Sequence, residues 1–217
     1  MRNIEQARFN MVEQQIRPWD VHDPKVLELL MKVKREHFVP DEGQTLALMD
    51  LEIALGHGEM MWAPKIEARA VQALKLSHTD RVLEVGTGSG YVTALLAHLA
   101  GQVTSVELVP ELAQKAAEKM LSHRLKNVTV VVGDAATGWA DQQYDAIVIT
   151  GSLPVRPVEL LQQLKVGGRL FVILGEGAAM KATLFTRVSA DTIDSVVLFE
   201  TSVAPLLNAS QPERFVF

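Results

Sequence analysis

The sequence predicts an α/β fold, in which a mostly parallel sheet carries helices on both faces and follows an N-terminal helical extension. From residue 81 onward, short β-rich runs alternate with segments of helical spacing, which is typical of successive β-α-β units. This alternation predicts a parallel sheet whose strands are buried on both faces. Before residue 79 the apolar residues recur at helical spacing instead.

Residues 1–78 are predicted to form the helical extension, packed on the core. A first helix is expected over residues 4–16, where apolar side chains recur at helical spacing until Pro18 stops the pattern. Asp23-Pro24 supplies an N-cap and a first-turn proline for a second helix, and Pro64 opens a third. The stretch between the second and third helices has an irregular pattern.

Residues 79–217 are predicted to form the ligand-binding domain, and the two parts are expected to make one structural unit. The strand-like runs cover residues 81–85, 102–107, 128–132, 144–150, 169–174, 184–189 and 195–204. Only a turn at residues 191–194 separates the last two runs, so we expect them to pair antiparallel. The C-terminal QPERFVF is amphipathic and could close a strand edge or contact a partner.

Composition narrows the class of protein. The 217 residues carry a formal charge of −5, which gives no basic footprint for nucleic acid, and no apolar run is long enough for a membrane span. The chain has no cysteine, which excludes disulfides and a thiol nucleophile, and the six histidines show no metal-ligand spacing. We therefore expect a cytoplasmic protein, a monomer or weak homo-oligomer, that binds no metal, nucleic acid or membrane.

A glycine-rich turn follows the first strand of the sheet. In VLEVGTGSGY, residues 82–91, the glycines Gly86, Gly88 and Gly90 let a ligand approach the backbone and the start of the next helix, as in Rossmann-like doubly wound folds. Tyr91 stands where a dinucleotide fingerprint needs its third glycine, which argues against a pyrophosphate. A turn that only tightens the packing of strand against helix is the alternative interpretation.

Two acidic residues follow the next two strands. Glu107 ends the second strand, where a carboxylate can accept both hydroxyls of a ribose, and Asp134 follows the third, where a carboxylate could accept the amino group of an adenine. Either one taken alone could be a solvated strand end, and Asp134 could be a helix N-cap. Together with the glycine turn, they predict a nucleoside site at one edge of the sheet.

These residues resemble class I S-adenosylmethionine-dependent methyltransferases and, more closely, the protein-L-isoaspartate O-methyltransferase family. Beyond the glycine turn, the resemblance rests on MVEQQIRPWDVHDPKVLELLMKVKREHFVP, GHGEMMWAP, NVTVVVGDAATGW and LLQQLKVGGRLFVILG, so it spans most of the chain. It implies a seven-stranded sheet with its last strand inserted antiparallel. It also implies S-adenosyl-L-methionine as cofactor, S-adenosyl-L-homocysteine as product and isoaspartyl-containing peptides or proteins as acceptors.

The resemblance also implies a set of cofactor residues at the carboxyl edge of the sheet. Those residues are Glu84, Gly86, Thr87, Gly88, Ser89, Glu107, Leu108, Asp134 and Ala135. Gly86, Gly88 and Ser89 would line the cofactor, Glu107 would hold its ribose, and Asp134 with Ala135 would flank its adenine.

The implied acceptor pocket departs from the family pattern. It would comprise His57, Glu59, Met60, Met61, Trp62, Pro64 and Thr150. Family members typically read G-H-G-Q-T-I-S-x-P where this chain has GHGEMMWAP, so Met60 replaces a threonine and Trp62 replaces a serine that lies close to the substrate carboxylate. After the fourth strand, Thr150-Gly151-Ser152-Leu153 replaces a Thr-Ala-Ala run. The identity of a catalytic residue therefore stays open.

Methyl transfer to a carboxylate needs alignment rather than a base, because a carboxylate with a pKa near 4 is already ionised at neutral pH. Loss of a hydrogen bond to a charged group costs about 1.5 to 3 kcal/mol. Trp62 adds bulk, and Glu59 adds a charge that repels an anionic acceptor. Met60, Met61 and Trp62 either line a remodelled, more apolar acceptor pocket or pack in the core under the loop.

Three functions agree with these patterns. The first is methylation of isoaspartyl residues in damaged proteins. The second is the same chemistry on another acceptor, such as a small carboxylate suited to an apolar pocket, and the third is a non-catalytic S-adenosylmethionine-binding protein. A nicotinamide oxidoreductase is disfavoured, since no Tyr/Lys or His/Asp constellation for hydride chemistry is found.

Overall fold

A computed structural model describes residues 2–212, which contain six α-helices and nine strands. The helices are α1 (Arg2–Asn10), α2 (Pro24–Lys32), α3 (Pro64–Leu74), α4 (Tyr91–Leu99), α5 (Pro110–Ser122) and α6 (Val158–Gln162). The strands are β1 (Ile53–Gly56), β2 (Glu59–Met61), β3 (Arg81–Val85), β4 (Gln102–Glu107), β5 (Val128–Val132), β6 (Tyr144–Leu153), β7 (Leu164–Leu174), β8 (Met180–Arg187) and β9 (Ile193–Thr201). The amphipathic QPERFVF segment lies mostly outside the described residues.

Seven of these strands form one sheet in the order β5-β4-β3-β6-β7-β8-β9. The five strands from β5 to β7 are parallel, which confirms the mostly parallel α/β sheet. The last strand pairs antiparallel with β8, but it lies at the sheet edge and is not inserted between two strands. The turn between β8 and β9 is too short for the chain to cross a neighbouring strand, so consecutive strands stay adjacent.

The strand order creates a crevice at one edge of the sheet. From β3 the chain proceeds outward through β4 and β5, and it then returns to place β6 on the other side of β3. Val85 is aligned with Val106 and Ile149, and Glu107 is aligned with Val132. The carboxyl ends of four parallel strands therefore meet at the reversal point, where ligands bind in open α/β sheets.

The N-terminal extension differs from its predicted form in two places. The first predicted helix is α-helical only to Asn10, and a π-helical turn and a 3₁₀ turn carry the chain to Trp19. The predicted starts of α2 and α3 are confirmed, and each has a proline in its first turn. The irregular stretch contains an unpredicted hairpin of β1 and β2, because strands of four and three residues are too short to show a period.

The extension and the sheet share a hydrophobic core. Met11, Leu30 and Leu74 from the extension belong to the same buried cluster as Phe171 and Val148 of the sheet. A second cluster fills the opposite face of the sheet beneath α6. The central strands are thus covered on both faces, as the predicted β-α-β units require, whereas the edge strands β5 and β9 stay partly exposed. No helix within residues 2–212 is long and apolar enough to cross a membrane.

Candidate functional site

A cleft opens at the carboxyl ends of β3, β4, β5 and β6. It encloses about 720 Å³, part of it open to solvent. The β1–β2 hairpin forms one wall, and residues 204–207 of the C-terminal segment form another. The cleft therefore coincides with the crevice that the strand order creates.

The glycine turn forms the floor of the cleft. Gly86, Gly88 and Gly90 all have positive φ (91°, 52° and 82°), which is a backbone conformation that favours glycine. A Cβ on Gly86 would collide with the hydroxyl of Thr150, which donates to the carbonyl oxygen of Val85 at 3.0 Å and to that of Gly86. The turn thus presents bare backbone, and Thr150 holds it to the end of β6.

Glu107 lies beside this turn, at the end of β4. Its carboxylate accepts hydrogen bonds from the backbone N–H of Gly88 at 2.7 Å and from that of Val109 at 3.0 Å. The side chain is largely buried and lines the cleft, as does its half-exposed neighbour Leu108. Two backbone donors therefore hold a carboxylate in a defined orientation toward the ligand space.

Asp134 lines the same cleft, two residues after the end of β5. Its Oδ1 accepts from the N–H of Ala136 at 3.0 Å, and its Oδ2 accepts from the side-chain amide of Asn208 at 2.7 Å. Asp134 and the buried Ala135 both line the cleft. The structure thus brings the glycine turn, Glu107 and Asp134 together, as the sequence predicted from three separate strand ends.

Three predicted cofactor residues lie behind the turn instead of on the cleft surface. The carboxyl of Glu84 is fully buried and accepts from the hydroxyls of Thr93 at 2.5 Å and Ser105 at 2.6 Å. Burial raises the pKa of Glu84 to about 8; these two hydrogen bonds oppose the rise, and the charge of Glu107 adds to it. Glu84 therefore does not line the cleft, and with this pKa it is largely protonated at neutral pH.

Thr87 and Ser89 complete the same support. The Thr87 hydroxyl lies 2.6 Å from that of Ser105, and the Ser89 hydroxyl accepts from the N–H of Tyr91 at the start of α4. Both residues border a smaller hollow that adjoins the main cleft and shares Met60, Trp62 and Thr150 with it. Their hydroxyls therefore hold the turn in place, and neither residue lines the main cleft.

The hairpin carries the predicted acceptor residues to the rim of the cleft. Glu59, Met60 and Trp62 line it, and Met60 is 36% exposed. Met61 is buried and reaches only the smaller hollow. His57 lies at the exposed hairpin turn with φ 57° and does not line the cleft.

Pro64, the remaining predicted acceptor residue, also lies away from the cleft. It is buried in the first turn of α3.

Trp62 is a core residue as well as part of the wall. It is 4% exposed, and its ring meets that of Phe171 edge-on, with 6.2 Å between centroids. Its carbonyl oxygen accepts from the buried guanidinium of Arg35 at 2.5 Å, and Arg35 is paired with the buried Glu67 at 2.8 Å. Trp62 therefore packs in the core and also lines the cleft.

Two carboxyl groups make the hairpin side of the cleft acidic. Burial raises the pKa of Glu59, the charge of Glu107 raises it further, and His57 opposes the rise. Burial also raises the pKa of Glu52. Glu52 lines the cleft, although no sequence pattern predicts this position. Glu52 lies in the irregular stretch before β1, where no periodic signal indicates the direction of its side chain.

The sequence patterns also do not predict the C-terminal wall of the cleft. Leu206 and Leu207 line the cleft, and the N–H of Leu206 donates to the carbonyl oxygen of Ser152 at 2.9 Å. These leucines lie more than 50 residues after the strand they contact, and no local pattern relates the two. Among residues 2–212, no cluster of His, Asp and Glu has the arrangement of a metal site.

Comparisons with known proteins agree with this geometry. The family model for protein-L-isoaspartate(D-aspartate) O-methyltransferase (PCMT) matches residues 6–211. Protein-L-isoaspartate O-methyltransferase 1 of Rhodopseudomonas palustris is 40% identical over 202 residues, which cover 92% of this chain and 82% of that protein. A protein-L-isoaspartate O-methyltransferase of a Picosynechococcus species is 43% identical over 169 residues, which cover 77% of this chain and 76% of that protein.

A solved structure shares the fold. It is a Plasmodium falciparum chain described as a protein-L-isoaspartate O-methyltransferase in complex with S-adenosyl-L-homocysteine, with a TM-score of 0.75 at 20% identity. The match covers 91% of this chain and 96% of the Plasmodium chain. At 20% identity this match supports only the shared fold. The family model and the relatives near 40% identity match most of the sequence, and they support membership of the family. The chain therefore belongs to the protein-L-isoaspartate(D-aspartate) O-methyltransferase family.

Proposed function

We propose that this protein is an S-adenosyl-L-methionine-dependent O-methyltransferase that methylates the carboxylate of isoaspartyl residues in damaged proteins. The observation that carries the proposal is the single cleft that joins the glycine turn, Glu107 and Asp134 in a chain of this family. Each of the three comes from a different strand end, so their meeting depends on the whole sheet.

The residues of the cleft fit the cofactor. Gly86 and Gly88 leave room for a ligand to lie against the backbone, and the oriented carboxylate of Glu107 has acceptor capacity left for ribose hydroxyls. Asp134 offers an acceptor for the adenine amino group at the end of the neighbouring strand. When bound, S-adenosyl-L-methionine supplies an electrophilic methyl group on a sulfonium and leaves as S-adenosyl-L-homocysteine.

The protein's contribution to the reaction is orientation and exclusion of water. An isoaspartyl carboxylate is ionised at neutral pH, so no side chain has to remove a proton from it. Trp62 and Met60 provide an apolar wall that partly desolvates the acceptor. The Thr150 hydroxyl already donates its hydrogen bond to backbone carbonyl oxygens, so it is not free to donate one to the methyl acceptor.

A second candidate function is methylation of a different acceptor. It is favoured by the apolar Met60 and Trp62 and by the charges of Glu52 and Glu59 on the same side of the cleft. These carboxylates repel the isoaspartyl carboxylate and a small acid alike, but a small acid with an apolar body would regain affinity from the apolar wall. Cofactor binding without catalysis is the third possibility, which the same experiment distinguishes.

Transfer of a labelled methyl group from S-adenosyl-L-methionine to an isoaspartyl peptide tests the proposal. The matched aspartyl peptide is the substrate control, and Glu107→Ala is the protein control. We expect label that depends on the isoaspartyl bond and falls at least tenfold in the variant. Cofactor binding without labelling would exclude isoaspartyl methylation and favour another acceptor or a binding role.

The assembly and location of the protein belong to the same proposal. We propose a monomer or weak homo-oligomer in the cytoplasm that binds neither nucleic acid nor membrane. The formal charge of −5 supports the absence of a nucleic-acid partner. Light scattering across a concentration series would detect a stable oligomer, which would contradict this part of the proposal.

A further inference from the structure

The C-terminal segment is attached to the end of β6 and passes over the adenine side of the cleft. The N–H of Ser152 donates to the carbonyl oxygen of Ala204 at 2.9 Å, and the N–H of Leu206 donates back to the carbonyl oxygen of Ser152 at 2.9 Å. Leu206 also packs closely against Gly151. Residues that follow this attachment are therefore held at a defined position relative to the sheet.

Asn208, which follows the wall residues of this segment, contacts the cleft residue Asp134 without lining the cleft itself. Its side-chain amide donates to Oδ2 of Asp134 at 2.7 Å, across 74 positions of sequence. Its backbone has φ 60°, a conformation that asparagine tolerates better than most residues. Both its anchored segment and its residue type thus favour this contact.

The contact determines how the Asp134 carboxylate is oriented. The Asp134 carboxylate accepts two hydrogen bonds within the described residues. Without Asn208 it would keep only the one from the N–H of Ala136 to Oδ1. The side chain is exposed, so a single bond leaves it free to rotate. Bonds to both oxygens fix the plane of the carboxylate, and each oxygen keeps a lone pair for a further donor.

We propose that Asn208 is a positioning residue that orients Asp134 to accept the exocyclic amino group of the cofactor's adenine. The inference rests on the proposed function and adds a residue to its cofactor site. A carboxylate that is already oriented loses less conformational freedom when the ligand binds, and one immobilised side chain accounts for about a 2- to 12-fold change in affinity.

The mechanism predicts a dependence on the 6-amino group of the purine. If Asn208 acts through Asp134, its loss weakens ligands that donate to Asp134 and leaves ligands without that donor nearly unaffected. A residue that only supported the wall of the cleft would affect both ligands equally, because both share the ribose and amino-acid parts.

Calorimetric titration with two ligands tests this dependence in the full chain. The ligands are S-adenosyl-L-homocysteine and its analogue in which the purine lacks the 6-amino group. The variants are Asn208→Gly, which keeps the positive φ accessible, and Asn208→Asp, which keeps the shape but places a second carboxylate beside Asp134. Ser210→Gly, an exposed position in the same segment, is the matched control.

We expect Asn208→Gly to weaken S-adenosyl-L-homocysteine binding about 2- to 12-fold, Asn208→Asp to weaken it further, and Ser210→Gly to have no effect. The analogue should bind the wild type and Asn208→Gly within a factor of two. Equal weakening of both ligands would overturn the inference while leaving the proposed function intact. Failure of the wild type to bind S-adenosyl-L-homocysteine would overturn both.

Discussion

Replacement of Glu84 by glutamine should change how stability depends on pH. Glu84 is fully buried behind the glycine turn, and its pKa is raised from an ordinary 4.5 to about 8. Between these two values the folded state holds a proton on Glu84 that the unfolded state has released. Wild-type stability therefore falls as pH rises through this window, and glutamine, which does not titrate, removes that loss.

The magnitude follows from the two pKa values. One bound proton lowers the free energy of unfolding by about 1.4 kcal/mol for each pH unit inside the window. Between pH 5 and pH 8, Glu84 accounts for a loss of about 3 kcal/mol in the wild type. The hydrogen bonds from Thr93 and Ser105 can still be accepted by the glutamine oxygen, so any fixed cost of the substitution is the same at each pH.

Urea unfolding at pH 5, 6, 7 and 8 measures the difference between the two proteins. We expect the stability of Glu84→Gln relative to wild type to rise by about 3 kcal/mol across this range, because other titrating groups contribute equally to both. Glu111→Gln, which replaces an exposed glutamate of α5, is the matched control. Stabilities that fall in parallel for wild type and Glu84→Gln would refute a protonated Glu84.

Other substitutions probe the hairpin and the core. Glu59→Gln should lower KM for an isoaspartyl peptide more at pH 8 than at pH 5, because only ionised Glu59 repels the acceptor and its pKa is raised; equal effects at both pH values would contradict this. Met60→Thr should raise kcat/KM about tenfold or more, because the threonine hydroxyl restores a hydrogen bond to the acceptor carboxylate worth about 1.5 to 3 kcal/mol, and stability should change little because Met60 is 36% exposed; no gain in steady-state assays would contradict a place for this side chain beside the acceptor. Trp62→Ser should cost about 3 to 5 kcal/mol in urea unfolding, since it removes a buried aromatic ring; a fully stable variant would show that Trp62 is not core. Arg35→Met leaves Glu67 unpaired and should cost about 3 to 5 kcal/mol in one transition seen by both far-UV circular dichroism and tryptophan fluorescence; two transitions would contradict a single structural unit.

The chemistry of the sheet edge could be predicted from the sequence because it depends on local patterns. Five parallel strands and the glycine turn are encoded by neighbouring residues, through apolar runs and the backbone freedom of glycine. Glu107 and Asp134 could be assigned to one edge since the carboxyl ends of parallel strands lie side by side. The proline at the start of α3 likewise acts within one helical turn.

The β1–β2 hairpin could not be predicted from local sequence patterns. Strands of three and four residues carry no period, and whether Met60 or Met61 faces the cleft depends on the register of β1 against β2. Glu84 lies only two residues before Gly86, yet its carboxyl is directed toward Thr93 of α4 and Ser105 of β4. Proximity in sequence therefore did not place it in the cleft.

Local sequence patterns are sufficient to predict the fold class, the glycine turn and the two acids that the cofactor is expected to meet. They do not predict that Glu52 lines the cleft, that Trp62 both lines the cleft and packs in the core, or that Asn208 contacts Asp134. The physical reason is the range of the interactions involved. Backbone preferences and hydrophobic period act between neighbours, whereas these contacts join segments far apart in the chain and form only when the whole sheet is packed.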